Sequence, residues 1–232
     1  MRARKPIDPF ELLLRRGDTN KLLDFFLRAE ERLTLAFPRA SRVLSESQSP
    51  SARQVRGGTR RHYLHEALAS AASDTGFPLE TRWTNPATWS FPLIKIGGYS
   101  MTIGIVETRH RGAARTLRTR SKYMKKLCER NEIVDPQTSL FETISTSDSL
   151  IPDGALGGLI VAQYQAHNPD VPAFLGFWVP STTLDRHYYV RSFAEIIAML
   201  RERLSLSRRP VKRTVERKLL KRRPRKRGDK KA

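Results

Sequence analysis

The chain has 232 residues, a formal net charge of +20 and a hydrophobic content of 39%. That length suits one large domain or two small ones, and a single cysteine, Cys128, excludes an internal disulfide and a Cys-rich zinc site. No apolar run approaches the roughly 18 residues of a membrane span, and the basic start, Met1-Arg-Ala-Arg-Lys-Pro, leads into Asp8 and Glu11 rather than an apolar signal segment.

Residues 1–38 read as a helical N-terminal segment. Asp8 is placed to cap a first helix, with Pro9 at its first position and Glu11 three residues after the cap. Leu12, Leu13 and Leu14 supply its apolar face, and Gly17 ends it. A second helix is expected from Thr19 to about Ala36, because Leu22, Leu23, Phe26, Leu27, Leu33 and Leu35 recur near helical spacing. Pro38 is expected to close it. Residues 39–60, rich in Ser and containing Gly57-Gly58, read as a flexible linker.

Residues 61–206 read as an α+β core domain. A helix is expected near Arg61–Ser73 and stops at Gly76. Strands follow at Leu79–Thr84, Phe91–Ile96 and Ser100–Glu107, the last two joined by Gly97-Gly98, a two-residue hairpin signal. A long helix is expected from about Arg111 to Arg130, then an irregular stretch over 135–153. Two more strands, near 157–164 and 174–179, enclose a loop with Pro169 and Pro172, and a helix at Phe193–Leu204 closes the domain. A mixed sheet with packed helices accommodates this order. Residues 207–232 form a basic tail, interrupted by Pro210 and Pro224 and expected to be disordered on its own.

The charge is not spread evenly. Residues 208–231 hold fourteen Lys/Arg against Glu216 and Asp229, and residues 109–126 hold eight Lys/Arg and no acid. Together they account for the whole excess, so the remainder of the chain is neutral. Two blocks of self-repelling cations call for a polyanionic partner, DNA or RNA. Arg111, Arg115, Arg118, Lys122 and Lys125 recur at steps of three and four, which places them on one helical stripe with Lys126 beside it and Arg109 just before it. Leu117, Met124, Leu127 and Cys128 fall on the other side, as a sheet-packed helix requires. The stripe lacks Asn and Gln, so it suits phosphate contacts better than base reading. The competing reading is a solvated face paired with acids such as Glu129 or Glu132. In the tail, Arg208, Arg209, Lys212, Arg213, Lys221, Arg222, Arg223, Arg225, Lys226 and Arg227 extend the same chemistry.

Enzymatic alternatives are thinner. No G-x-S-x-G or phosphate-binding G-x-x-x-x-G-K-[ST] loop is present. His62-Tyr-Leu-His65-Glu66 reverses the order of the zinc-peptidase motif and has no evident third ligand. The order helix, three strands, helix, strand, with Glu107-Thr108-Arg109 closing the third strand, resembles the core of the PD-(D/E)xK nuclease superfamily. The resemblance covers about residues 61–180 in topology. It implies Mg²⁺ held by Glu107 with Glu80 or Asp74, and Glu66 assisting. Arg109 stands where that family has Lys, and the strand Phe91–Ile96 carries no acid. Trp83, Trp89 and Trp178 are expected in the core, with stacking of an exposed one on a base as the alternative. Tyr188, Tyr189 and Arg191 are read as groove-lining residues before the last helix.

The sequence therefore points first to a non-catalytic nucleic-acid-binding protein without a cofactor, a regulatory or accessory subunit of the bacterial cytoplasm or nucleoid. The N-terminal helices would dock a protein partner. The alternatives are a Mg²⁺-dependent nuclease, and a protein-interaction subunit of a defence or ribonucleoprotein complex.

Overall fold

The computed structural model describes residues 7–15, 17–45, 52–108, 122–134, 151–165 and 167–207. The first basic stripe from Arg109 to Arg118 and the whole tail from Arg208 lie outside these residues. The fold is α+β, a six-stranded mixed sheet with helices on both faces.

Helix α1 (Pro9–Leu14) starts where Asp8 accepts the Phe10 N–H at 2.9 Å. It is followed by α2 (Thr19–Ser45) and α3 (Ala52–Asp74). Contrary to the expected stop, α2 runs through Pro38. Proline removes one helical hydrogen bond, but Phe37 and Ala40 on either side are completely buried, and their packing offsets that loss. The expected linker at 39–60 is helical over much of its length, since α2 covers residues up to Ser45 and α3 begins at Ala52. Gly57 and Gly58 lie inside α3. Gly58 has a local reason, because a Cβ there would stand 3.2 Å from the Trp89 ring. Helix α3 ends on a Schellman motif: Gly76 has φ +64, its N–H reaches Ser73, and the Phe77 N–H reaches Ala72.

The strands are β1 (Leu79–Trp83), β2 (Ser90–Ile96), β3 (Tyr99–Thr108), β4 (Leu156–Gln165), β5 (Asn168–Pro180) and β6 (His187–Ser192). They lie in the order β1-β2-β3-β4-β5-β6. All neighbours are antiparallel except β3 and β4, which run parallel over ten pairs from Tyr99–Leu156 to Thr108–Gln165. The parallel pair needs a crossover, and the first basic segment lies within it. Gly97 turns the β2–β3 hairpin at φ +54, and a Cβ there would lie 2.4 Å from the Leu12 carbonyl. The same carbonyl accepts the Gly98 N–H at 2.9 Å. The Gly-Gly pair is thus fixed by α1 as well as by the turn.

Two expectations change here. Pro169 and Pro172 belong to β5 rather than to a loop, and Pro172 stands opposite Tyr164 at a register shift. β6 pairs with only the Gly176–Pro180 end of β5, so among the described residues no strand pairs with the outer edge of the early part of β5, where proline is tolerated. Tyr188, Tyr189 and Arg191 form part of β6, an edge strand.

Side chains alternate across the sheet. Ile94, Ile96, Tyr99, Met101, Ile103, Leu156, Ile160 and Phe177 join one core with residues of α1, α2, α3 and the last helix, α5 (Phe193–Ser207). The helices read as a separate N-terminal segment are therefore built into the same core as the sheet. Helix α5 begins on a capping box: the Glu195 carboxylate accepts the Ser192 N–H at 2.7 Å and the Glu195 N–H reaches the Ser192 hydroxyl at 3.2 Å. Among the described residues, no helix is long and apolar enough to cross a membrane.

Candidate functional site

The opposite face of the sheet carries a short helix, α4 (Lys122–Leu127), and a 3-10 turn (Asn131–Val134). Met124 and Cys128 are buried there against Val106, Leu159, Val161 and Trp178. Tyr123 stacks on Phe91 of β2 with ring centroids 4.6 Å apart. Of the apolar side expected from the sequence, Met124 and Cys128 are buried toward the sheet with Leu127 beside them, while Leu117 lies outside the described residues and the helix expected to reach Arg130 stops at Leu127. Lys122, Lys125 and Lys126 are exposed.

A single residue ties this element down. Asn131 is completely buried. Its amide nitrogen donates to the Gly157 carbonyl at 2.8 Å and the Pro180 carbonyl at 2.7 Å, and its oxygen accepts the Gly157 N–H at 2.7 Å. A Cβ at residue 157 would lie 2.4 Å from the Leu127 carbonyl, so glycine lets the end of α4 lie directly on β4. Neither role is visible in the sequence, because both depend on contacts between distant segments.

Among the described residues, no ion pair joins Lys122, Lys125 or Lys126 to an acid. Glu132 instead accepts a hydrogen bond from the Thr182 hydroxyl at 3.1 Å. Lys125, Lys126, Glu129 and Thr182 line an open depression of about 440 Å³. Cys128 lies buried beneath the helix, and burial pushes its thiol up to about 12.

The candidate nuclease carboxylates are not brought together. Glu80 receives Lys95 at 2.5 Å on one oxygen and Arg82 at 2.7 Å on the other. These bonds, Lys95 first, hold its carboxyl down at about 2. Asp74 ends α3 and pairs with Arg32 and, at 3.6 Å, with Arg28 of α2. Glu80 stands opposite Leu93, beside the Ile94–Met101 pair, whereas Glu107 lies near the far end of β3. Five residues of strand separate their levels, about 17 Å at the usual rise, with β2 in between. Among the described residues, no group of three His, Cys, Asp or Glu could hold a metal ion. The Glu107 side chain and Arg109 lie outside what is described. His62 and Glu66 are exposed, while burial first and Arg61 second hold the His65 ring down at about 4.

The tryptophans divide. Trp178 is buried as expected, but Trp83 is 64% exposed and Trp89 47% exposed. They flank the turn of the β1–β2 hairpin at the edge of the sheet, where no second layer covers them fully. The Arg61 guanidinium lies 5.4 Å from the Trp89 ring. Searches with this chain find no matching family model, no matching curated protein and no matching solved structure.

Proposed function

We propose that this protein binds nucleic acid through phosphate contacts and carries out no chemistry on it. The observation that carries the reading is the placement of charge: the whole excess lies in residues 109–126 and 208–231. The described end of the first segment is clamped to the sheet with three lysines turned to solvent. Phosphate contacts of this kind fix position and release counterions without reading sequence. The tail acts as a second, tethered site and raises affinity through effective concentration. Such a protein serves as a regulatory or accessory factor, at work where nucleic acid lies in the bacterial cytoplasm.

The ion pairs on Glu80 and Asp74, and the distance along the sheet from Glu80 to Glu107, favour binding over metal-dependent cleavage. The test is a titration against labelled duplex and single strands, comparing the complete chain with one ending at Ser207. Removal of the tail should lower the slope of log K against log salt by about 0.9 for each phosphate the tail had neutralised on duplex DNA, or about 0.7 on single strands. An unchanged affinity and slope would overturn the role given to the tail. Cleavage of the labelled strand on adding Mg²⁺ would overturn the non-catalytic reading.

A further inference from the structure

The β1–β2 hairpin presents a feature that charge alone does not explain. Trp83 stands opposite Ser90, and the Thr84 N–H donates to the Trp89 carbonyl at 2.8 Å, so both indoles sit at the neck of one turn. The turn is tied internally. The Thr84 hydroxyl donates to the Pro86 carbonyl at 2.8 Å and accepts the Trp89 N–H at 3.1 Å. Trp89 lies against α3 at Gly58, which leaves no side chain to displace it. Two large aromatic side chains are therefore held on a fixed support, Trp83 mostly uncovered and Trp89 about half uncovered. Isolated exposed apolar residues are ordinary; two tryptophans on one rigid hairpin neck are not scattered in that sense.

The surroundings carry positive charge. Arg61 lies over Trp89 and, among the described residues, has no carboxylate in an ion pair with it. Register places the hairpin neck at a particular end of the sheet. Ser90 precedes Ile94 by four residues, Ile94 stands opposite Met101, and four residues past Met101 β3 is close to its end at Thr108. The chain thus passes from β3 into its first basic segment at the same end of the sheet as the two tryptophans. An aromatic face with a guanidinium over it suits a ligand that has both flat π-surfaces and phosphates. In a duplex the bases are stacked on one another and closed to side chains; in a single strand their faces are free.

We propose that Trp83 and Trp89 form a stacking platform for the bases of a single-stranded nucleic acid, with Arg61 contacting its backbone. The proposal rests on the nucleic-acid reading above and deepens it, because it names the form of nucleic acid that is preferred. Phosphate contacts by the lysines of α4 serve duplex and single strand alike. The tryptophans serve the single strand only.

The experiment uses the complete chain, with Trp83→Ala, Trp89→Ala and the corresponding Phe variants, titrated against a labelled single strand and the duplex of the same sequence. Near-UV and far-UV circular dichroism confirm that each variant is folded. Each Ala variant should bind the single strand about 5- to 150-fold more weakly, the equivalent of one base stack, while duplex affinity stays where it was. Phe should restore most of the affinity. The single strand should also quench the tryptophan fluorescence, which comes from Trp83 and Trp89 at the surface as well as from buried Trp178. If the Ala variants bind the single strand as the parent does while salt-dependent binding persists, the platform is refuted and the charge-based reading stands. Equal weakening on single strand and duplex would also refute it, since the tryptophans would then act through the fold. If the parent binds neither ligand, both readings fall together.

Discussion

The two faces of the sheet are built in different ways. On one face α1, α2, α3 and α5 bury a broad apolar core in which Phe25, Phe26, Phe37, Tyr99, Phe177 and Phe193 are fully or almost fully covered. Among the described residues, the other face has a small cluster around Met124, Cys128, Leu159 and Trp178, covered by a short helix and a 3-10 turn. The first face holds the fold by area. The described part of the second is held by a few well-placed hydrogen bonds, and it carries lysines that pair with no acid among the described residues. The Asn131 clamp supplies part of the hold that the smaller described apolar cluster does not.

The sharpest way to break this comparison is to damage each face in turn. Phe26 is fully buried and makes edge contacts with Phe25 at 5.3 Å and Phe193 at 5.2 Å. Phe26→Ala should cost about 3–5 kcal/mol, seen as a large fall in the urea midpoint of the whole chain. Asn131→Ala leaves two buried carbonyls and the Gly157 N–H without their partner, at a cost of about 1–3 kcal/mol. That second variant should also weaken nucleic-acid binding more than its fall in stability requires, because the lysines of α4 lose their support. Phe26→Ala should not, so binding measured well below each midpoint separates the two faces.

Smaller effects sharpen the picture. Ser192→Ala removes the hydroxyl half of the α5 capping box and should lower stability by about 1 kcal/mol. His65 gives a pH signature on the helix-rich face. Burial holds its folded-state value at about 4 against an ordinary 6.5, so the unfolded chain binds the proton more readily. The stability it contributes is complete above pH 6.5 and is lost as pH falls from 6.5 to 4. A His65→Gln variant should show a flatter dependence of the denaturant midpoint over that window, with its largest gain relative to the parent at the acid end.

Much of the fold was legible where local chemistry decides the outcome. Asp8-Pro9, Gly76 and Gly97-Gly98 each act within a few residues, and the structure places a cap, a helix stop and a turn at those positions. Legibility failed where tertiary packing overrides local preference. Pro38 and Gly57-Gly58 break helices in isolation, yet α2 and α3 pass through them because the flanking residues are buried or a tryptophan needs the space. β6 went unread because its six residues are bounded only by a turn and by α5, and their role as a strand depends on pairing with β5. For the candidate site, the orientation of α4 followed from its apolar positions. Its anchor at Asn131 and the exposure of Trp83 and Trp89 did not, since burial of a single Asn or Trp is set by which segments meet there. The arginines from Arg109 to Arg118 and the cations of the tail lie outside the described residues.

The central claim is that exposed cations on the clamped α4 face meet phosphate. The most direct test is fluorescence anisotropy of a labelled nucleic acid with the complete chain and with Lys122→Glu, Lys125→Glu and Lys126→Glu combined, across 50 to 200 mM salt, a range over which about 6–10 phosphate contacts would lower affinity by about 10³–10⁵. The account predicts steep salt dependence in the parent, with weaker binding and a shallower slope in the triple variant at unchanged folding. Binding that ignores both salt and these three substitutions would contradict it.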